Sequence, residues 1–194
     1  MTELDKQNEA TPTTSGNPEG GRFDTALQRN RSFAAADGHR GGGVVPNLGL
    51  IVITCLDPRT DPAVFLGLGL SDAIVERNVG GRVTPEVIND IYFLAQIGEL
   101  MGSEGLLYEV AIIHHNQCGT GFLANDEFRR RYADRIGVDQ SGLVAKAVLD
   151  PEVTVVSDVE LLRSVFADPA RVAVSGHVYD VETGLVTTIA PVEP

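Results

Sequence analysis

The sequence predicts an α/β fold with a central, mostly parallel β-sheet flanked by helices. Two short apolar runs, at residues 48–54 and 110–113, are typical of strands buried on both faces of a parallel sheet. Between them, residues 84–101 carry apolar side chains on a wide face at helical spacing, which suits a helix that packs on a sheet. At 194 residues and 43% hydrophobic composition, the chain is long enough for one domain with a substantial core.

Local signals predict the elements around the first strand. Apolar residues at helical intervals indicate a helix over residues 23–37, which the following glycines end. Residues 59–71 are predicted to form a loop with a short helix, and residues 73–75 begin a second strand. The helix ahead of the second apolar run begins at Thr84, a capping hydroxyl, followed by Pro85 at the first helical position.

The C-terminal half continues the alternation of helix and strand. Residues 126–135 indicate a helix whose arginines, at 129–131, we interpret as a solvated face. A capping box formed by Ser157 and Glu160 predicts the start of a further helix, and residues 168–169 its end. The chain then returns to a strand and a turn, at residues 172–178 and 182–184.

Composition argues against several classes of partner. The net charge of −12 disfavours nucleic acid or an anionic membrane surface. No apolar run approaches the ~18 residues that a membrane span needs, and the first residues lack the pattern of a signal peptide, so we expect a cytoplasmic protein. Residues 1–21 contain almost no large apolar side chain, and we expect a disordered tail ahead of a single domain over residues 22–194.

The only two cysteines of the chain lie in short polar clusters that each follow a predicted strand. Cys55 follows the first strand, and His115 and Cys118 follow the second. Because the ligand crevice of an open α/β sheet lies beyond the carboxyl ends of its strands, neighbouring strands would bring these side chains to one ion. Two thiolates and one imidazole form a zinc set that leaves the fourth tetrahedral position open, as in catalytic sites.

Structural alternatives exist for these residues. The cysteines could be buried structural thiols, and Asp57 could bind the metal as a fourth ligand and close the site. His114 precedes His115 on the same strand, so its side chain should point to the opposite face, into the core or behind the site. The glycines at residues 80–81 could form only a tight turn.

Four motifs, in order, resemble those of the β-class carbonic anhydrases. The first matches the family's Cys-x-Asp-x-Arg with Cys55, Asp57 and Arg59. The second matches His-x-x-Cys-Gly with His115, Cys118 and Gly119. Residues 77–81 are similar to the family's Arg-Asn-Ala-Gly-Gly turn, and residues 176–185 resemble the terminal strand and hairpin of its shorter, microbial branch.

The resemblance implies a β-carbonic-anhydrase-like fold and reversible hydration of carbon dioxide to bicarbonate. One Zn²⁺ per chain would be held by Cys55, His115 and Cys118, and would lower the pKa of a bound water to make hydroxide available. Asp57 would accept the hydrogen of this hydroxide, and Arg59 would hold Asp57 off the metal. Oxygens of the small-molecule substrate would be received by backbone amides around three glycines, Gly80, Gly81 and Gly119.

Three departures from the family pattern flank the predicted site: Pro58, Val79 and the pair at residues 116–117. The alternative function is therefore hydrolysis of carbonyl sulfide or carbon disulfide at the same zinc site, since the same branch uses this ligand set on those linear substrates. A third hypothesis is a catalytically silent zinc-binding subunit, against which the intact pair of Asp57 and Arg59 argues.

The resemblance also implies a homodimer or a higher homo-oligomer. The helix at residues 23–37 would lie across the partner subunit. An amphipathic helix behind a glycine-rich loop has no core of its own to bury its apolar side chains, which is consistent with that expectation.

Overall fold

The computed structural model describes residues 21–102 and 108–193. The described residues divide into two compact units, the first ending at Gly42 and the second beginning at Gly43. In the first unit, helix α1 spans Asp24–Ala35, inside the predicted range of 23–37, and none of its residues is buried. The tail predicted over residues 1–21 lies outside the described residues, apart from Gly21, so it stays a prediction.

The described part of the second unit contains five strands: β1 (Leu50–Cys55), β2 (Ala73–Asn78), β3 (Tyr108–His115), β4 (Val172–Tyr179) and β5 (Val186–Ala190). They form one sheet in the order β2-β1-β3-β4-β5. The first four run parallel, and β5 pairs antiparallel with β4. The mostly parallel sheet is confirmed, and the two apolar runs, now β1 and β3, are direct neighbours.

Over residues 43–102 and 108–193, four α-helices accompany the sheet: α2 (Pro62–Phe65), α3 (Pro85–Leu100), α4 (Asp126–Ile136) and α5 (Pro151–Val165). The predicted start of α3 is confirmed, because the Thr84 side chain accepts from the Val87 amide and Pro85 opens the helix. Within the described residues, no helix is long and apolar enough to cross a membrane. The cytoplasmic location stays a prediction.

One face of the sheet is covered by α3 and α5. Their buried side chains form a single core cluster with the strand residues that point to this face; its members include Val87, Ile91, Val155, Leu162, Ile51, Ile53, Val110 and Ile112. Fully burying one such side chain contributes about 1.5–3 kcal/mol. The cluster therefore fixes β1 and β3 side by side beneath two helices.

The opposite face carries a smaller cluster of Val52, Ile113 and Tyr179. The ring of Phe65, from α2, stacks on Tyr179 with 4.3 Å between ring centroids. Because Tyr179 ends β4, this contact anchors the segment that follows β1 at the carboxyl edge of the sheet.

The predicted start of the last helix is wrong. Helix α5 begins at Pro151, and the Asp150 side chain accepts hydrogen bonds from the amides of Glu152 and Val153. An acidic cap followed by proline satisfies the first turn, and the observed cap lies seven residues before Ser157, the expected one. Ser157 is therefore an exposed residue of the helix interior, and the helix ends at Val165.

The interpretation of the arginine run as a solvated face holds for Arg131, whose side chain is 82% exposed, and fails for Arg129. The Arg129 side chain is only 15% exposed and pairs with Asp126. It also donates to the carbonyls of Leu123 and Ala124, at 2.9 and 3.3 Å. These carbonyls end a 3₁₀ turn and need donors, so Arg129 ties that turn to α4.

The position of the α5 cap can be tested directly. Asp150→Ala removes the acceptor of two first-turn amides and should lower the free energy of unfolding by about 1 kcal/mol. Ser157→Ala is the matched control and should change it by less than about 0.5 kcal/mol, because the side chain is exposed. Chemical denaturation measures both variants, and equal losses would contradict the observed cap.

Candidate metal centre

Three metal-capable side chains meet at the carboxyl edge of the sheet. Cys55 is the last residue of β1, His115 is the last residue of β3, and Cys118 follows three residues later. Because β1 and β3 are adjacent and parallel, their ends bring the three ligand atoms within 4.8 Å of one another. All three residues are buried, and the two sulfurs lie 3.9 Å apart. The structure thus brings together the predicted ligand set.

His115 is oriented by its own loop. Its Nδ1 lies 2.8 Å from the carbonyl oxygen of Asn116. A carbonyl only accepts, so Nδ1 carries the proton and Nε2 carries the lone pair. Nε2 is buried and has no hydrogen-bond partner in the described part of the chain. A buried nitrogen left unpaired beside two sulfurs is unfavourable unless a cation binds it, so this donor set fits Zn²⁺.

The two thiols also favour a cation between them. The hydrogen bond with Cys118 lowers the pKa of the Cys55 thiol, burial opposes this effect, and His115 and the amides of Asp57 and Gly80 assist it. The same contact with Cys55 raises the pKa of Cys118, and burial adds to the rise. Two adjacent thiolates therefore need a compensating charge, which a coordinated metal ion supplies.

Hydrogen bonds to sulfur orient both cysteines. Thr120 Oγ1 accepts from the Val148 amide at 3.1 Å, so its proton is free to be donated to Cys118 Sγ, also at 3.1 Å. The Asp57 amide lies 3.4 Å from Cys55 Sγ. Partners of this kind fix metal ligands in place. Thr120 was not predicted from the sequence, where its only signal is a hydroxyl two residues after Cys118.

Asp57 and Arg59 form the predicted ion pair beside this cluster. Arg59 Nε and Nη2 donate to the two carboxylate oxygens at 3.0 and 2.8 Å, and the Arg59 amide adds a third bond at 2.9 Å. The hydrogen bonds from the Arg59 side chain lower the pKa of Asp57. Among the described residues, the metal-capable cluster does not include Asp57. Both oxygens of Asp57 are thus engaged by Arg59, as the open arrangement requires.

Two side chains hold the backbone carbonyls of the loop after β1, which carries Asp57 and Arg59. Thr60 Oγ1 donates to the carbonyls of Cys55 and Asp57 at 2.9 and 3.0 Å. Arg77, from β2, donates to the same two carbonyls at 3.0 and 2.7 Å. From the sequence, Arg77 was predicted only as part of a motif, and Thr60 was not predicted to belong to the site. Neither the side chains nor their spacing indicates that they share acceptors.

His114 lies on the opposite side of β3 from the cluster, as predicted, and is fully buried. Its Nε2 is 3.2 Å from the carboxylate of Asp158. Asp158 also accepts two bonds from Arg82, at 2.7 and 2.9 Å, and one from the Val83 amide at 3.2 Å. This carboxylate therefore joins α5 to the strand that ends in His115 and to the segment after β2.

The three glycines predicted to bind substrate differ in whether their surroundings require a glycine. Gly80 and Gly81 have φ angles of +88° and +66°, in the left-handed region. A Cβ on Gly81 would lie 2.8 Å from the backbone nitrogen of Cys55, so only glycine lets this turn approach β1. The tight-turn interpretation thus accounts for both. A Cβ on Gly119 would meet no atom within 4 Å. That these glycines bind substrate stays a prediction.

The buried carboxylate network gives a pH-dependent expectation. Burial opposes the ionisation of Asp158, but its bonds with His114 and Arg82 outweigh burial and lower its pKa. Such a group contributes stability above its unfolded pKa of ~3.9 and loses it as the pH falls through the lower, folded value. Asp158→Asn should therefore destabilise the protein by about 3–5 kcal/mol at neutral pH, and by progressively less below pH ~4.

Denaturant unfolding at a series of pH values measures this difference. Glu160→Gln is the control, because Glu160 lies exposed on the same helix. Its effect on the free energy of unfolding should stay within about 0.5 kcal/mol at every pH. A loss in Asp158→Asn that does not change with pH would contradict the ionised network.

Comparison with known proteins places this fold and site in a family. No protein-family model matches the chain. β-Carbonic anhydrase 1 of Mycobacterium tuberculosis is 30% identical over 152 residues, which cover 75% of this chain and 85% of that protein. Carbon disulfide hydrolase of Acidithiobacillus thiooxidans is 28% identical over 162 residues, which cover 73% and 77%. The crystal structure of carbonic anhydrase from Streptococcus mutans has a TM-score of 0.70 at 30% identity and covers 88% of this chain and 98% of its own. The chain, with its mostly parallel sheet and buried Cys-His-Cys cluster, therefore belongs to the β-carbonic anhydrase family.

Proposed function

We propose that this protein catalyses the reversible hydration of carbon dioxide to bicarbonate with one Zn²⁺ per chain. The ligands are Cys55, His115 and Cys118. The observation that carries the proposal is the pair of Asp57 and Arg59 beside this three-donor cluster. A protein that only stored zinc would have no use for an ionised carboxylate held by both oxygens next to an open coordination position. Family membership supports the same conclusion.

Each residue of the site has a distinct task. A zinc ion on these ligands would supply the Lewis acid that activates water for attack on a linear, electrophilic substrate. Asp57 accepts a hydrogen bond from the attacking water and aims its lone pair at the substrate carbon. Arg59 keeps Asp57 ionised, because its hydrogen bonds lower the pKa of that carboxyl. Negative charge developing on the substrate oxygens is received by backbone amides at Gly80, Gly81 and Gly119.

Hydrolysis of carbonyl sulfide or carbon disulfide is the second candidate. The relative from Acidithiobacillus thiooxidans, 28% identical to this chain, is a carbon disulfide hydrolase. Two departures from the family pattern lie at the surface beside the cluster: Pro58 is exposed, and Val79 is 58% exposed. Apolar residues at the approach to a metal centre favour a less polar substrate, which supports keeping this candidate.

Stopped-flow assays of the zinc-loaded protein on carbon dioxide and on the two sulfur substrates test the proposal. Faster hydration of carbon dioxide is the expected result. A higher kcat/KM on carbonyl sulfide or carbon disulfide would favour the second candidate. Turnover of none of these substrates at full zinc occupancy would overturn both candidates and favour a silent zinc-binding subunit.

The roles of the ion pair predict two different mutant behaviours. Asp57→Asn keeps the shape of the side chain but loses its charge, so turnover should fall by ~10²–10⁴-fold with zinc retained. Arg59→Ala frees the carboxylate of Asp57 to bind the metal, so activity should also be lost without loss of zinc. Elemental analysis and stopped-flow hydration measure both. Near-normal activity in Arg59→Ala would refute its role.

The substrate position can be probed at Gly119. Since a Cβ there would meet no protein atom within 4 Å, Gly119→Ala should fold with unchanged stability. If the amide of Gly119 receives substrate, the added methyl should raise KM or lower kcat by about tenfold, the size of one lost hydrogen bond. Gly142→Ala is the control, because its Cβ also meets nothing within 4 Å. Equal activity of both variants would show that the Gly119 amide does not receive substrate.

We also propose that the protein is a homodimer or a higher homo-oligomer in which α1 packs on a partner subunit. Large apolar side chains of this segment are exposed: Phe23 by 69% and Phe33 by 46%. An amphipathic helix with no buried residue gains stability only when another surface covers it.

Sedimentation of three forms of the chain tests this arrangement. Deletion of residues 2–20 should leave both the oligomer and the melting temperature nearly unchanged, since α1 is retained. Deletion of residues 2–37 should dissociate the oligomer, because α1 is removed. A monomeric full-length chain, or an oligomer that survives the longer deletion, would contradict the packing of α1 on a partner.

A further inference from the structure

Gln117 lies between two of the proposed zinc ligands in an unusual backbone conformation. Its φ angle is +54°, in the left-handed region that non-glycine residues seldom adopt. A conformation of this kind persists only where the surroundings hold it. The contacts of the Gln117 side chain and carbonyl identify what holds it.

The first contact is with Arg59. Arg59 Nη1 lies 3.3 Å from the side-chain oxygen of Gln117, and Nη2 donates to the Gln117 carbonyl at 3.1 Å. Nε and Nη2 of the same guanidinium donate to Asp57. Arg59 therefore bridges the loop after β1 to the loop that carries His115 and Cys118.

The second contact fixes the orientation of the Gln117 amide. Its Nε2 donates to the carboxylate of Glu182, in the turn between β4 and β5. Arginine can only donate and an ionised carboxylate can only accept, so an amide satisfies both partners at once. A glutamate at this position would repel Glu182 and compete with Asp57 for Arg59.

The ion pair needs this support. The Arg59 side chain is 44% exposed, and an exposed pair contributes only about 0–1 kcal/mol. Held by Asp57 alone, the long arginine side chain would leave the carboxylate for part of the time. The contacts with Gln117 anchor the guanidinium from the second ligand loop.

We propose that Gln117 is a positioning residue that holds Arg59 on Asp57 and so keeps the carboxylate of Asp57 away from the fourth position of the metal. The inference rests on the proposed zinc site and on the proposed role of Asp57. It extends the functional unit to Glu182 in the C-terminal hairpin, which orients the Gln117 amide.

Gln117→Gly is the decisive variant, because glycine accepts the left-handed backbone and leaves the fold unstrained. The variant loses the bond from Arg59 Nη1 to the side-chain oxygen and keeps only the bond to the backbone carbonyl. Arg59 is then held less firmly, and Asp57 binds the metal more often as a fourth ligand. The zinc-loaded variant should therefore release zinc to a chelator several-fold more slowly than the wild type. Its kcat/KM for carbon dioxide should fall by about tenfold, the size expected when a hydrogen bond to a charged group is lost.

The sign of the zinc-release effect separates positioning from a merely structural role, since a loosened site would release zinc faster. Ser71→Gly is the matched control: Ser71 also has a left-handed backbone, at φ +64°, but lies away from the cluster. It should leave zinc release and activity unchanged. In an Asp57→Asn background, Gln117→Gly should no longer slow release, because the competing carboxylate is gone.

Two results would overturn the inference. One is zinc release from Gln117→Gly that is as fast as, or faster than, release from the wild type. The other is slower zinc release that persists in the Asp57→Asn background. The measurement needs no turnover and is therefore independent of the proposed reaction. A wild type that hydrates no carbon dioxide, with slower release in Gln117→Gly, would refute the function and support the positioning role. Normal hydration in the wild type with unchanged release in the variant would refute the positioning role alone.

Discussion

The parallel alignment of β1 and β3 is the constraint on which the metal centre depends. A strand rises about 3.3 Å per residue, so a two-residue slip would move a ligand by more than the 4.8 Å that spans the donor atoms. A one-residue slip would instead turn His115 toward the core and bring His114 to the cluster. The core cluster prevents both, because Ile53 and Ile112 are aligned in the register and fully buried beneath the same helices. The packing of the core therefore sets the geometry of the site.

The loop that carries the ion pair is ordered by its backbone rather than by the pair itself. Thr60 and Arg77 approach the carbonyls of Cys55 and Asp57 from different elements, and each carbonyl receives two donors. Hydrogen bonds from a charged guanidinium are about twice as strong as neutral ones. Since the same loop carries a proposed ligand and the proposed orienting carboxylate, one clamp sets the distance between them before substrate arrives.

The sequence predicted what depends on local pattern. The apolar runs indicated β1 and β3, the cap at Thr84 indicated α3, and the clusters after the strands indicated the three ligands. It failed where a stronger local signal lay nearby, as at Ser157, where Asp150 and Pro151 begin the helix instead. Contacts between residues distant in the chain leave no recognisable pattern in the sequence. The bonds of Asp158 with Arg82 and His114, and of Gln117 with Arg59 and Glu182, join three elements each and emerge only when the sheet is assembled.

The two candidate activities make different demands on the same ligand set. Carbon dioxide becomes bicarbonate, whose charged oxygens are strong hydrogen-bond acceptors, whereas the sulfur of carbon disulfide is a weak one. The backbone amides proposed to receive substrate would therefore favour the oxygen substrate. A Cβ on Gly119 would meet no atom within 4 Å, so Gly119 is the proposed amide at which a substitution can alter this preference without disturbing the fold.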